Sequence, residues 1–318
     1  MPVLLPKCRL FSKGGLTVKI GFIGLGNMGK PMSLNLLESG YDVIGYDINE
    51  SALQTLEKNG GKAALTVDDV VDYAELIFTS LPSSETCENV YLGENGLIRK
   101  VPTGLVLVDT STVSPELERR IGEEAEKRDV SFLAAPVSGG VVGAENRTLT
   151  FMVGGPKALL EEVHSHLAIL GSNIFHISEQ YDSGTNAKLI NNLLIGFYTA
   201  GVAEALKLAE KSGLNLDFLF NVLNVSYGQS RIYERNYKSF MVDDNYEPGF
   251  ALKLLNKDLR FAMDLAKEHG LELPISQALV DLYEDAEKSG LGEKDMSVLF
   301  KRVGNQTITF KAEGVSEA

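Results

Sequence analysis

The sequence predicts an α/β domain built on a doubly wound parallel sheet, followed by an all-α domain. Three observations predict it. Short apolar runs alternate with helical patterns through the first half. A glycine-rich turn joins the first apolar run to the first helical pattern. The second half carries long helical patterns and no comparable strand alternation. A length of 318 residues leaves room for two domains.

Val18-Lys19-Ile20-Gly21-Phe22-Ile23 reads as a short buried strand, and Gly24-Leu25-Gly26-Asn27-Met28-Gly29 follows at once. A helical pattern runs from Lys30 to Ser39 and closes at Gly40. The next strand, Tyr41 to Tyr46, ends at Asp47. In this strand–turn–helix–strand unit the first glycine permits a tight turn, the second lets backbone approach a pyrophosphate, and the third lets helix pack on strand. The helix N-terminus offers free N–H groups to phosphates, and Asp47 is placed to accept from ribose hydroxyls. With both strands and the acid in place, the unit reads as a dinucleotide cradle of Rossmann type. A carboxylate at Asp47 repels a 2′-phosphate, and Ile48-Asn49 bring no arginine, so NAD is expected over NADP.

The alternation continues through strands at Glu75–Leu81, Gly104–Asp109 and Val130–Ala135, with helical patterns such as Pro115–Arg128 between them. Ligands of such sheets bind beyond the carboxyl ends of the strands. Leu81-Pro82, Ser111-Thr112 and Ser138-Gly139-Gly140 are therefore expected at one rim. Helical patterns in the second half run from Gly184 to Ser212, Leu216 to Leu223, Leu252 to His269 and Ser276 to Ser289. The expected organisation is a leader at 1–17, a dinucleotide-binding domain at 18–182, a helical domain at 183–304 and a tail at 305–318. The leader carries Lys7, Arg9 and Lys13 without an acid, which fits a targeting peptide. A second reading is that Lys13-Gly14-Gly15 is the translation of a bacterial ribosome-binding sequence, with the natural start at Val18.

Composition narrows the function. A hydrophobic share of 44% and a charged share of 23% are those of a globular protein. A net charge of -13 argues against a nucleic-acid partner. Cys8 and Cys87 have no metal spacing and make no disulfide framework, so a reduced cytoplasm is expected. Neither the cysteines nor the four histidines point to a metal. The most apolar stretch, Leu189–Ala209, is interrupted by Asn191, Asn192, Glu204 and Lys207, and reads as a core helix rather than a membrane span.

Chemistry concentrates in Gly184-Thr185-Asn186-Ala187-Lys188-Leu189-Ile190-Asn191-Asn192. Lys188 and Asn192 are four apart, on one helical face, with Asn191 close by. An amine beside two carboxamides near the start of an apolar helix can move a proton and hold a polar substrate. The competing reading is an ordinary polar helix start; the dinucleotide cradle upstream tilts the balance.

Together these motifs resemble the beta-hydroxyacid dehydrogenase family. The resemblance runs from about Lys19 to Val303. It rests on Gly21 to Gly29, Val108-Asp109-Thr110-Ser111-Thr112, Ala135-Pro136-Val137-Ser138-Gly139-Gly140, the Lys188 segment and Asn256-Lys257-Asp258-Leu259. It implies a nucleotide domain followed by a helical one, with the active site between them. Lys188 is then the catalytic lysine. Asn192, with Asn191, helps hold substrate. Ser138, Gly139 and Gly140 bind the substrate carboxylate, with Ser111 or Thr112 nearby. Gly24 to Gly29 and Asp47 bind the cofactor, which Leu81, Pro82, Thr86, Thr112 and Lys257 also meet. The family is usually dimeric or tetrameric. Three positions depart from its pattern: Ala134 replaces a common aspartate, Arg147 replaces a usual glycine, and Ser226-Tyr227-Gly228-Gln229 replaces a stretch with serine, glycine and arginine. The catalytic set is spared; Arg147 and Gln229 bear on the substrate tail.

The expected activity is NAD-dependent oxidation of a small 3-hydroxy acid, such as 3-hydroxyisobutyrate, to its semialdehyde. A base must take the hydroxyl proton as hydride leaves the carbinol carbon, and Lys188 does so only when neutral. Burial, a cationic nicotinamide ring and a helix N-terminus all disfavour its ammonium form. Alternatives are reduction of a short aldehyde acid, such as tartronate or succinate semialdehyde, imine reduction, which the lysine argues against, and a dinucleotide-binding protein without catalysis.

Overall fold

The computed structural model describes residues 18–304. The expectations for 1–17 and 305–318 lie outside the described residues. By chain contacts the protein divides into two units. The first takes in residues up to Asn192 together with Arg260–Glu272, and the second Leu193–Leu259 with the residues from Leu273 onwards.

The first unit opens with β1 (Lys19–Ile23), α1 (Gly29–Glu38), β2 (Asp42–Tyr46), α2 (Glu50–Lys58), β3 (Lys62–Ala63), α3 (Val67–Tyr73) and β4 (Leu76–Thr79). It continues with α4 (Ser84–Leu92), α5 (Leu97–Lys100), β5 (Val106–Asp109), α6 (Pro115–Lys127) and β6 (Ser131–Ala134). These six strands are parallel, in the order β3-β2-β1-β4-β5-β6. The expected doubly wound parallel sheet is present, with the strand order of a dinucleotide-binding fold. The strands are nearly continuous apolar runs because helices cover both faces. Ile20, Phe22, Phe78 and Val108 belong to one core and Ile77, Leu107, Phe132 and Ala134 to the other. Side-chain caps start the helices: Thr66 and Asp69 form a reciprocal capping box on α3, and Ser83 and Ser114 cap α4 and α6.

The sheet then extends beyond the strands the sequence predicts. After β7 (Val137–Ser138) and α7 (Gly140–Glu145) come β8 (Leu149–Gly154), α8 (Lys157–Leu170) and β9 (Gly171–Ser178). Strand β8 runs antiparallel to β6 and β7 and parallel to β9. The sheet is therefore parallel with an antiparallel extension.

Helix α9 (Ser183–Lys211) follows. Its first turn lies against β8 backbone: a Cβ at Gly184 would sit 2.1 Å from the Met152 carbonyl oxygen, and one at Gly154 2.4 Å from that of Tyr181. Only glycine permits this approach, and by chain contacts the first ten residues of α9 fall in the first unit. The helix has the length and mean hydropathy, 1.3, of a membrane span. It is less of a core helix than its composition implies, since Leu194 is 49% and Tyr198 47% exposed.

The described residues of the second unit are mainly helical: α9 from Leu193, α10 (Leu216–Asn224), α11 (Arg231–Asn236) running into a π-helical turn at Tyr237–Met241, α12 (Leu252–Glu268) as far as Leu259, α13 (Pro274–Ala286) and α14 (Leu299–Arg302). Its polar anchor is Asp295, which is fully buried. Arg235 grips both carboxylate oxygens at 2.9 and 2.6 Å, and the backbone N–H groups of Gly249, Phe250 and Ser297 donate to it. Burial works against ionisation, but the Arg235 guanidinium and the backbone donors outweigh it and lower the pKa of Asp295. The folded-state pKa is depressed, so this contribution to stability is present above the ordinary carboxylate range and lost as pH falls through the folded value. Removing one partner of a buried pair costs about 3–5 kcal/mol. Asp295→Ala is therefore expected to destabilise the chain by about that amount, in denaturant unfolding at pH 7. A loss below about 1 kcal/mol would contradict the assignment.

Candidate active site

The glycine turn after β1 has a separate reason for each glycine. Gly24 adopts φ +90°, and a Cβ there would meet the Ser80 carbonyl oxygen at 2.3 Å. Gly29 brings α1 onto the turn, where a Cβ would lie 1.9 Å from the Gly24 carbonyl oxygen. Around Gly26 a Cβ would meet nothing within 4 Å. The protein's own packing does not require glycine there, and the open space is what a pyrophosphate approaching the backbone needs. Leu25, Asn27 and Met28 complete the turn. Asp47, at the end of β2, accepts from the Leu25 N–H at 2.6 Å and the Asn49 N–H at 2.7 Å. Its carboxylate thus clasps the glycine turn, with lone pairs left over for a ribose.

The carboxyl ends of β4 and β5 are joined through a buried polar cluster. Ser111 is 4% exposed. Its hydroxyl donates to Asp109 Oδ1 at 2.6 Å and accepts from the Leu81 N–H at 2.8 Å. Thr79 donates to the same oxygen at 2.6 Å, so the Tyr91 hydroxyl, 2.7 Å from Thr79 Oγ1, must be the donor in that pair. The Ser111 N–H and the Cys87 thiol complete the donors to Asp109. Burial and the Asp109 charge push both the Cys87 thiol and the Tyr91 phenol well up, so both stay protonated donors. Pro82 follows Leu81 at this rim, and Thr86 shares the α4 cap, its hydroxyl 3.0 Å from that of Ser83. Thr112 is half-buried beside Ser111.

Ser138 ends β7, opposite Thr150 of β8. Gly139 and Gly140 follow at φ +130° and +62°. Two successive left-handed residues turn the chain sharply, a path that side chains disfavour. The same strand β8 seats Gly184, so the turn and the start of α9 are both held by β8. On α9, Lys188 is 7% exposed and Asn192 fully buried. Asn191 Nδ2 donates to Asn192 Oδ1 at 3.1 Å, which fixes the orientation of the Asn192 amide.

Lys257 belongs to the second unit, with its ammonium 3.1 Å from the Asp258 carboxylate. Arg147 sits at φ +59°, which explains why glycine suits the position, and its guanidinium reaches Glu38 at 2.8 Å. It fastens the turn after α7 to the end of α1. Gln229 is exposed in a turn, its N–H donating to the Ser226 carbonyl. Ala134 is buried as the register partner of Asp109. Sequence reasoning missed Glu118, a fully buried carboxyl on α6. Its spacing to Ile121, Gly122 and Ala125 places it on the inner face and was the available signal.

Comparison with known proteins agrees with this geometry. Residues 19–178 match the family described as the NAD binding domain of 6-phosphogluconate dehydrogenase. Residues 182–303 match the NAD-binding family of NADP-dependent 3-hydroxyisobutyrate dehydrogenase. The chain is 36% identical to 2-(hydroxymethyl)glutarate dehydrogenase of Eubacterium barkeri, over 90% of this chain and 94% of that one. It is 37% identical to the mitochondrial 3-hydroxyisobutyrate dehydrogenase of Rattus norvegicus, over 89% and 86% of the two chains. Among solved structures, 3-hydroxyisobutyrate dehydrogenase of Mycobacterium tuberculosis with L-serine superposes with a TM-score of 0.83 at 30% identity, covering 91% of this chain and all of that one. A dinucleotide cradle, a buried lysine–asparagine helix start and relatives matched over nearly their whole length lead to one conclusion: the chain belongs to the beta-hydroxyacid dehydrogenase family and is an NAD(P)-dependent oxidoreductase acting on hydroxy acids.

Proposed function

We propose that the protein oxidises a small 3-hydroxy acid of the 3-hydroxyisobutyrate type to its semialdehyde, with NAD as acceptor and Lys188 as the proton-transfer group. The observation that carries this reading is the buried Lys188 amine on the same helical face as the buried Asn192, on a helix start seated against β8. Gly24 to Gly29 and Asp47 hold the dinucleotide, with Leu81, Pro82, Thr86, Thr112 and Lys257 as further contacts. When bound, NAD supplies the hydride acceptor. Neutral Lys188 takes the hydroxyl proton; in the reducing direction its ammonium returns it. The Asn192 amide, held by Asn191, donates to the substrate oxygen and fixes its orientation. The backbone of Ser138-Gly139-Gly140 receives the carboxylate. Ser111 spends its proton on Asp109, so it meets substrate only as an acceptor. L-Serine, named with the Mycobacterium relative, and 3-hydroxyisobutyrate both carry a hydroxyl on the carbon β to a carboxylate, which supports this substrate class.

The apolar face left open on α9, at Leu194 and Tyr198, and that of α10, at Phe218 (71% exposed) and Val222 (43%), follow helical spacing. Exposed stripes of this kind mark association surfaces, and the occupant proposed here is a second copy of the chain, in a homodimer or homotetramer.

Lys188→Ala is expected to lower kcat by about 10²- to 10⁴-fold while NAD still binds. Steady-state and binding measurements decide this, and near-normal turnover removes Lys188 from the mechanism. Asp47→Ala is expected to weaken NAD about tenfold and to narrow the preference over NADP; an unchanged ratio of constants for the two cofactors speaks against the ribose role. Light scattering on Leu194→Glu/Tyr198→Glu should report a smaller assembly than the unsubstituted protein, and equal masses would rule out this face.

A further inference from the structure

Helix α6 carries Arg119 and Gly122 three residues apart, on one face. That face meets the segment that leads into α9. A Cβ at Gly122 would sit 2.0 Å from Tyr181 Cδ2, so the helix backbone lies directly on the Tyr181 ring. The same ring packs beside Phe132 of β6, with centroids 5.7 Å apart. Next to this contact the Arg119 guanidinium holds two carboxylates. Its Nη1 donates to Asp182 Oδ2 at 2.8 Å, and its Nη2 donates to Glu268 Oε1 at 3.1 Å. Asp182 is buried, Arg119 half-buried and Glu268, the last residue of α12, exposed. All three belong to the first unit.

Asp182 opens α9. Its carbonyl accepts the Asn186 N–H, and the N–H and hydroxyl of Ser183 both donate to the Gln180 carbonyl. A carboxylate ahead of a helix also faces the positive end of the helix dipole. The start of α9 is thus held on two sides, by Gly184 on β8 and by Tyr181-Asp182 on α6. The backbone contact with β8 limits how near the helix lies to the sheet. The ion pair just before it fixes the direction in which the helix sets out. Lys188 stands six residues after Asp182, less than two turns along. We propose that Arg119 is a positioning residue for Lys188, acting through Asp182 and the first turns of α9. Its planar fork spans two carboxylates, which the compact charge of a lysine does not. Arg119 works at a distance, through the backbone, and the inference rests on the reading of Lys188 as the proton-transfer group.

The test pairs turnover with amide hydrogen exchange on the full chain, at a temperature where thermal unfolding shows every variant folded. Arg119→Ala is expected to speed exchange at residues 186–190 by about tenfold. It should lower kcat by about 10- to 10²-fold, as small misplacements of a reacting group do, while the NAD dissociation constant stays within about twofold. Asp182→Asn should resemble Arg119→Ala. Arg119→Lys keeps a cation beside Asp182 and should lose less on both readouts. Added to Lys188→Ala, Arg119→Ala is expected to cost nothing further in kcat, because its effect passes through the amine. A purely stabilising role lowers the unfolding temperature and leaves kcat of the folded variant unchanged. A failure of the Lys188 reading shows in the turnover of Lys188→Ala, whereas exchange at the helix start reports on Arg119 alone. If Arg119→Ala does not fold, Arg119→Lys and Asp182→Asn supply the same two quantities. Unchanged exchange at the helix start overturns the proposal. So does a folded Arg119→Ala with kcat within about twofold of the unsubstituted protein, or a loss that multiplies with that of Lys188→Ala.

Discussion

The site depends first on a backbone-to-backbone contact. Where Gly184 meets β8, the start of a 29-residue helix lies on the backbone of a sheet strand with no side chain between them. Lys188 follows one turn later and Asn192 one turn after that. Both therefore inherit their position from the sheet. The turn at Ser138-Gly139-Gly140 is tied to the same strand through Ser138 and Thr150. One strand thus sets the spacing between the proposed proton-transfer group and the proposed carboxylate site. Any side chain at Gly184 would displace the helix start and the amine with it.

Much of this was legible in the sequence, because the signals were strong and local. The strands β1, β2, β4, β5 and β6 are apolar runs closed by glycine, proline or an acid, and they form within about two residues of their expected ends. The glycine turn and Asp47 were legible because each residue type answers a steric or charge requirement. The extension β7-β8-β9 was not. A two-residue strand has no period to read, and β9 is an edge strand whose residues alternate between partial and full exposure, so its apolar content is diluted. Arg147 shows what residue type alone does not reveal, a left-handed backbone conformation and an ion pair with Glu38. Glu118 shows the opposite limit. A lone acid on an amphipathic helix reads as solvated unless the helix face is tracked residue by residue.

The two units manage buried charge in different ways. Asp295 is balanced by a guanidinium and a ring of backbone donors, so it stays ionised and anchors the second unit. Asp109 is held instead by neutral donors, the Thr79 and Ser111 hydroxyls, the Ser111 N–H and the Cys87 thiol. The first arrangement is a structural clamp. The second sits at the carboxyl ends of parallel strands, where folds of this kind bind ligands.

Asp47 has a consequence for altering the enzyme. Its carboxylate is at once the acceptor proposed for the ribose and the acceptor for the Leu25 N–H. On the proposed ribose role, cofactor choice and the shape of the glycine turn rest on a single side chain. Exchanging that side chain to admit a phosphorylated ribose also unfastens the turn. A switch in cofactor use therefore needs two coordinated changes, one to receive the phosphate and one to return an acceptor to Leu25.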